Sequence, residues 1–173
     1  MFTPFSRVLL IILSIVFSFY LYTKGEYVSV GITLFSSLLF IYGYYRYGTV
    51  YIAFNEIKKG RFDKAEKLIS TIKNPAHLSK SHKSYYHYTL GYIFSNKQEW
   101  EKSYSEFNKA LEIGLRTKND TSIVLLNLAN TSFEQKKIKE AKEFIAKTRT
   151  YNLKPMIASE VAKLEKEINA VAP

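Results

Sequence analysis

The sequence predicts an all-α protein in three parts: an N-terminal transmembrane helical hairpin, a three-repeat α-solenoid and a C-terminal capping helix. Three observations predict this. Residues 1–47 are mostly apolar and hold two runs of about bilayer length, about 5–22 and 27–45. From Thr49 onward the apolar spacing is helical, and four columns of residues recur at intervals of 38. There is no Cys, which excludes disulfides, thiolate metal sites and cysteine nucleophiles. The resulting bounds are 1–47 for the hairpin, 48–153 for three helix pairs and 154–173 for the capping helix and tail.

The first span, Phe5 to Tyr22, carries one charge, Arg7, close enough to its end to snorkel. No small-x-small cleavage site follows it and a second apolar span begins at once, so it reads as a retained helix rather than a signal peptide. Thr23-Lys-Gly-Glu26 is a tight connection, which makes the two spans antiparallel neighbours. Ser14 and Ser18 are four apart, as are Gly31 and Phe35 on the second span, and the serine face allows close helix approach. Arg7 precedes the hairpin and Arg46, Lys58, Lys59, Arg61 and Lys64 follow it, while its tip offers only Lys24 beside Glu26. The positive-inside rule therefore places both termini and the repeats in the cytoplasm. No Asp, Glu, Lys or His falls mid-span, which argues against a transport path.

Tyr27 to Lys59 reads as one helical run. It leaves the bilayer, crosses a collar of Tyr42, Tyr44, Tyr45 and Tyr47, and becomes the first helix of the repeats. Gly48 is its one weak point. A continuous helix there would hold the repeats rigidly at the membrane, and a break would let them swing.

The repeats are carried by four columns. Ala53, Gly91 and Ala129 are small; Phe62, Trp100 and Ile138 are bulky; Ala65, Ser103 and Ala141 are small; Ile69, Phe107 and Ile145 are large. A small residue in the first helix of a pair lets the second cross closely, and the second small–large pair lets one repeat stack on the next. Asn74-Pro75 ends one helix, Ser79 or Ser81 starts the next, and Gly114 ends another. Asn119-Asp120-Thr121 is expected to cap a helix over Ser122–Gln135. Pro155 opens the last helix, whose Ile157, Val161, Leu164 and Ile168 form an apolar stripe for the exposed end of the stack.

These columns resemble the tetratricopeptide repeat (TPR) family. The middle copy is the best match, with Leu90-Gly91, Phe94, Trp100, Ser103, Phe107 and Ala110. The resemblance covers roughly 49–153 and implies a TPR-like α-solenoid. Each copy is about four residues longer than the family's usual 34, with the extra residues expected around Lys73–Ser81 and Gly114–Asp120. It also implies that the first helix of each pair lines a concave, partner-binding groove. On that frame the groove residues are Tyr51, Phe54, Tyr85, Tyr88, Tyr92, Asn127 and Asn130. Tyrosine supplies contact area at low rotamer cost, and asparagine both donates to and accepts from an extended backbone. Some members clamp acidic C-terminal tails with Lys, Asn and Arg; the matching positions here are Val50, Phe54, Thr89, Ile123 and Asn127, which lack the basic members.

Chemistry-bearing motifs are missing. No phosphate loop, nucleophile elbow or metal spacing occurs, and His77, His82 and His87 stand in basic or packing contexts. The expectation is therefore no enzyme, no cofactor and no metal. The formal net charge is +10, and Arg7, Lys24 and Glu26 are the only charges before Arg46, so nine of those ten fall from Arg46 onward. The leading expectation is a membrane-anchored, cytoplasm-facing adaptor or scaffold, an accessory or assembly subunit of a membrane complex. Its partner is a peptide or helix, and it contacts lipid through two spans. The alternative is a basic module that binds anionic lipid or, less favoured, nucleic acid at the membrane surface. The preference for Lys over Arg, with abundant Ile, Asn and Tyr, points to an AT-rich bacterial genome and so to a bacterial cell membrane.

Overall fold

A computed structural model describes residues 4–171. The side chains of Pro4, Phe5 and Arg7 lie outside the described set, and with them the expected snorkelling of Arg7. The order is α1 (Pro4–Thr23), α2 (Tyr27–Tyr47), α3 (Val50–Lys58), α4 (Phe62–Ser70), a 3-10 turn (Pro75–His77), α5 (Lys80–Asn96), α6 (Trp100–Ile113), α7 (Lys118–Glu134), α8 (Ile138–Arg149) and α9 (Pro155–Val171). No strand occurs among the described residues.

α1 and α2 pack as an antiparallel hairpin. The Ser14 and Ser37 hydroxyls lie 2.7 Å apart across it, and Ser18 and Ser37 are buried. The serine face of α1 is thus the packing face. Gly31 is not part of it, since a Cβ there would meet nothing within 4 Å. The rest of the hairpin is apolar and bare: Val16, Phe19, Val28, Ile32, Phe35 and Leu38 are all more than 60 % exposed. α2 is long and apolar enough to cross a membrane, whereas the apolar part of α1, Val8–Thr23, is shorter.

The helix is not continuous through Gly48, contrary to the single run that the sequence suggests. Gly48 takes φ +55°, a conformation open to glycine because it lacks Cβ, and α3 begins only at Val50. The break is not a free hinge either. The Ser79 N–H donates to the Arg46 carbonyl at 2.9 Å, and the Thr49 hydroxyl donates to the Leu68 carbonyl at 2.6 Å. Ile72 and Leu78 close over Gly48 so tightly that a Cβ would sit 3.2 Å from each. Bonds from α4 and from the link before α5 pin the corner.

The three helix pairs are α3/α4, α5/α6 and α7/α8. Their second helices begin at Phe62, Trp100 and Ile138, one of the repeating columns. Ala53, Ala129, Ala65, Ser103 and Ala141 are all fully buried where the helices cross. Each pair turns through a residue of positive φ: Gly60 (+71°), Gln98 (+60°) and Lys136 (+61°). Only the first copy uses glycine there.

Helix ends differ from expectation at two links. α4 stops at Ser70, and Asn74 caps the 3-10 turn, accepting from the Ala76 N–H at 3.0 Å. α7 starts earlier than Ser122 because Thr117 is its cap, accepting from the Asp120 N–H at 3.0 Å. Thr117 competes successfully because Asp120 reciprocates, its carboxylate accepting from the Thr117 hydroxyl at 2.7 Å. Ser79 caps α5 and Gly114 closes α6. α9 opens at Pro155, and Ile157, Val161, Leu164 and Ile168 are buried in the core cluster they share with α7 and α8.

Candidate concave groove

Rings fill the seam between α3 and α5, and hydrogen bonds join α5 to α7 through Tyr85–Asp120 and Tyr92–Asn127. Tyr51 packs on His82 (4.7 Å between centroids) and Tyr85 (5.3 Å). Phe54 packs on Tyr85 and Tyr88, both at 5.1 Å. Tyr88 packs on Tyr92 (5.2 Å), and Tyr92 on Phe107 (5.5 Å). At its other end the ladder begins with Tyr47 against His82, at 5.0 Å.

This interlocking corrects part of the groove assignment. Tyr88 is 1 % exposed, Tyr85 3 % and Phe54 5 %, so these rings are core. The helical stripe does face inward as expected. A large ring on it, however, gains more by filling the gap to the neighbouring repeat than by standing free in the groove. The hydroxyls are satisfied in place. Tyr85 donates to the Asp120 carboxylate; burial, then that carboxylate, push its hydroxyl well above its ordinary range. Tyr88 is hydrogen-bonded to Tyr92, whose oxygen accepts from the Asn127 amide at 3.1 Å. Tyr51 is half-buried, its hydroxyl 3.3 Å from that of Ser81.

What remains open is a trough of about 680 Å³. Its floor is Tyr92, Ile123, Leu126, Asn127 and Asn130, with Phe54 and Tyr88 beneath. One wall is α3, through Ile57 and Lys58, and the opposite wall is α9, through Met156, Glu160, Lys163 and Glu167. Asn127 spends one amide hydrogen on Tyr92 and donates to its own helix at the Ile123 carbonyl. Asn130 lies beside it in the same floor. Lys58 rests its ammonium over the Phe54 ring at 4.5 Å.

Of the expected groove residues, Tyr92, Asn127 and Asn130 line the trough, the buried Phe54 and Tyr88 rings reach its lining from the ladder, and Tyr51 and Tyr85 stay in the ladder outside it. The α9 wall has no counterpart in the repeat columns. Its stripe announces burial, but the angle at which its polar edge overhangs α7 is set by packing alone. His87 is a packing residue, its ring 2.7 Å from Glu106. No cluster of three His, Asp or Glu that could hold a metal occurs among the described residues.

A family model described as the SusR N-terminal TPR domain matches residues 21–151, from the end of α1 to just past α8. No curated protein matches the chain, and no solved structure does.

Proposed function

This chain belongs to the SusR N-terminal TPR domain family, and from that premise we propose that it is a membrane-anchored scaffold with its repeats in the cytoplasm. The trough between α3 and α9 takes a peptide or helix of a protein partner. The α1–α2 hairpin keeps that trough at the inner leaflet, where tethering raises the effective concentration of partners already there. The observation that carries the reading is the trough itself. Apolar Ile123 and Leu126 share its floor with the amides of Asn127 and Asn130, which suits an apolar side chain beside a peptide backbone. The bare apolar surface of the hairpin supports the anchor.

A photoreactive amino acid placed at Asn130 tests the groove in native membranes. The expected result is a crosslink to one discrete protein segment, absent when the probe sits at Lys109 on the exposed side of α6 and lost when Lys163→Trp narrows the trough. Equal crosslinking from both probes would refute the groove.

A further inference from the structure

A second cavity, of about 320 Å³, lies where the hairpin meets the repeats. Tyr44 and Tyr45 come to it from the last turn of α2, and Lys73, Asn74 and His77 from the link before α5. Ile72 and Leu78 form its apolar base, packed on Gly48. The volume falls within the roughly 300–1,000 Å³ of small-molecule sites. Its rings are ordered: Tyr44 and Tyr45 meet edge to face at 5.6 Å, and Tyr45 and His77 at 6.4 Å.

Its place in the molecule identifies the ligand chemistry. α2 has 21 residues, about 31 Å of helix, which matches a hydrocarbon core of about 30 Å. If α2 spans, as proposed above, its closing tyrosines stand at headgroup depth, where amphipathic rings are favoured. The charge distribution agrees. No Asp or Glu occurs between Glu26 and Glu56, nor between Glu66 and Glu99. Those two stretches hold Arg46, Lys67, Lys73, Lys80, Lys83 and Lys97. All 15 acidic residues fall outside these two stretches: Glu26 at the hairpin tip, Glu56, Asp63 and Glu66 between them, and the rest from Glu99 onward. A basic excess in the stretches that build the junction is the pattern expected against an anionic leaflet.

We propose that this cavity binds the headgroup of one anionic glycerophospholipid, its phosphodiester on Lys73 and Asn74 and its glycerol against Tyr44 and Tyr45. The acyl chains then run down the bare apolar face of the hairpin. The inference rests on the membrane reading and adds to it a defined lipid site, which fastens the pinned Gly48 corner to the bilayer surface.

Native mass spectrometry of the full chain, released from nanodiscs of phosphatidylglycerol and phosphatidylcholine, tests it. The wild type should retain one phosphatidylglycerol. Lys73→Glu with Asn74→Ala should lose it at least several-fold. Lys67→Glu, the same charge change on the exposed end of α4, should keep it. Equal retention by all three, or displacement by inorganic phosphate, would overturn the site. Carbonate extraction of the same membranes separates the two readings. A chain that stays in the pellet but retains no lipid refutes the cavity alone, and a chain that is extracted refutes the anchor as well.

Discussion

Gly91 shows how much a single atom decides here. It stands in the column that Ala53 and Ala129 fill in the other copies, yet a Cβ on it would lie 2.5 Å from the Phe107 ring. Phe107 replaces Ile69 and Ile145 of the other copies, so the larger ring has taken the space of the missing methyl. The Ser103 hydroxyl donates to the Gly91 carbonyl at 3.0 Å across the same crossing. Gly91→Ala should therefore destabilise the protein by about 1–3 kcal/mol through overpacking, read from chemical denaturation. Pairing it with Phe107→Ile should recover part of the loss, and no recovery would argue against the steric account. Glu106 gives a second test at this scale. Burial pushes its carboxyl up, but His87 at 2.7 Å and Lys109 at 2.6 Å outweigh that and hold it below its ordinary range. Its contribution is present above the unfolded value near 4.5 and is lost as pH falls through the depressed folded value. Glu106→Gln should flatten the acid limb of the melting temperature plotted against pH, and an unchanged slope would remove this carboxylate from the account.

The turn inside each pair shows what the elements require. All three turns need a left-handed residue, and in two copies a residue with a Cβ fills that place, Gln98 and Lys136. Such residues adopt this conformation at a cost of about 1 kcal/mol relative to glycine. Gln98→Gly and Lys136→Gly should each stabilise the folded chain by about 0.5 kcal/mol, the gain being reduced by the greater freedom of glycine in the unfolded chain. Thermal unfolding of the single and double variants checks this. Destabilisation by both would mean that the side chains, not the backbone, hold these turns. The first pair is the slightest of the three, with two helices of nine residues. It sits between the pinned corner at Gly48 and the long α5, which gives it neighbours on both sides.

The whole molecule is a hairpin joined through the Gly48 corner to a stack of three helix pairs, with an open trough walled by α3 and α9. If the hairpin spans a membrane as proposed, a trough on a loose tether would sample every orientation to it, whereas the Arg46–Ser79 bond and the packing of Ile72 and Leu78 on Gly48 would hold the trough to one face. The absence of cysteine makes topology measurable with single introduced thiols. With Lys24→Cys at the hairpin tip, labelling of intact cells by a membrane-impermeant maleimide is expected. With Asn152→Cys beyond α8, labelling is expected only after lysis. The reverse pattern would invert the orientation, and labelling of neither in intact cells would point away from a spanning hairpin.

The helical class, the three pairs, the 38-residue register and the buried stripe of α9 were all legible in the sequence. They follow from spacing, and spacing is local: an apolar face must be buried wherever it falls. The candidate site was legible only in part. Asn127, Asn130 and Tyr92 could be placed on the inward stripe, but Tyr85, Tyr88 and Phe54 on the same stripe became core. Which inward residue ends up in a groove and which in a seam depends on the distance between neighbouring helices, and that distance is fixed by side chains far apart in the chain. The same holds for Gly48. Its sequence neighbours allow either a bend or a continuous helix; Ile72, Leu78 and Ser79, packed on it from the next link, decide for a fixed corner. Periodicity thus determined which faces are buried, and tertiary packing alone decided what those faces are buried against and what they leave open.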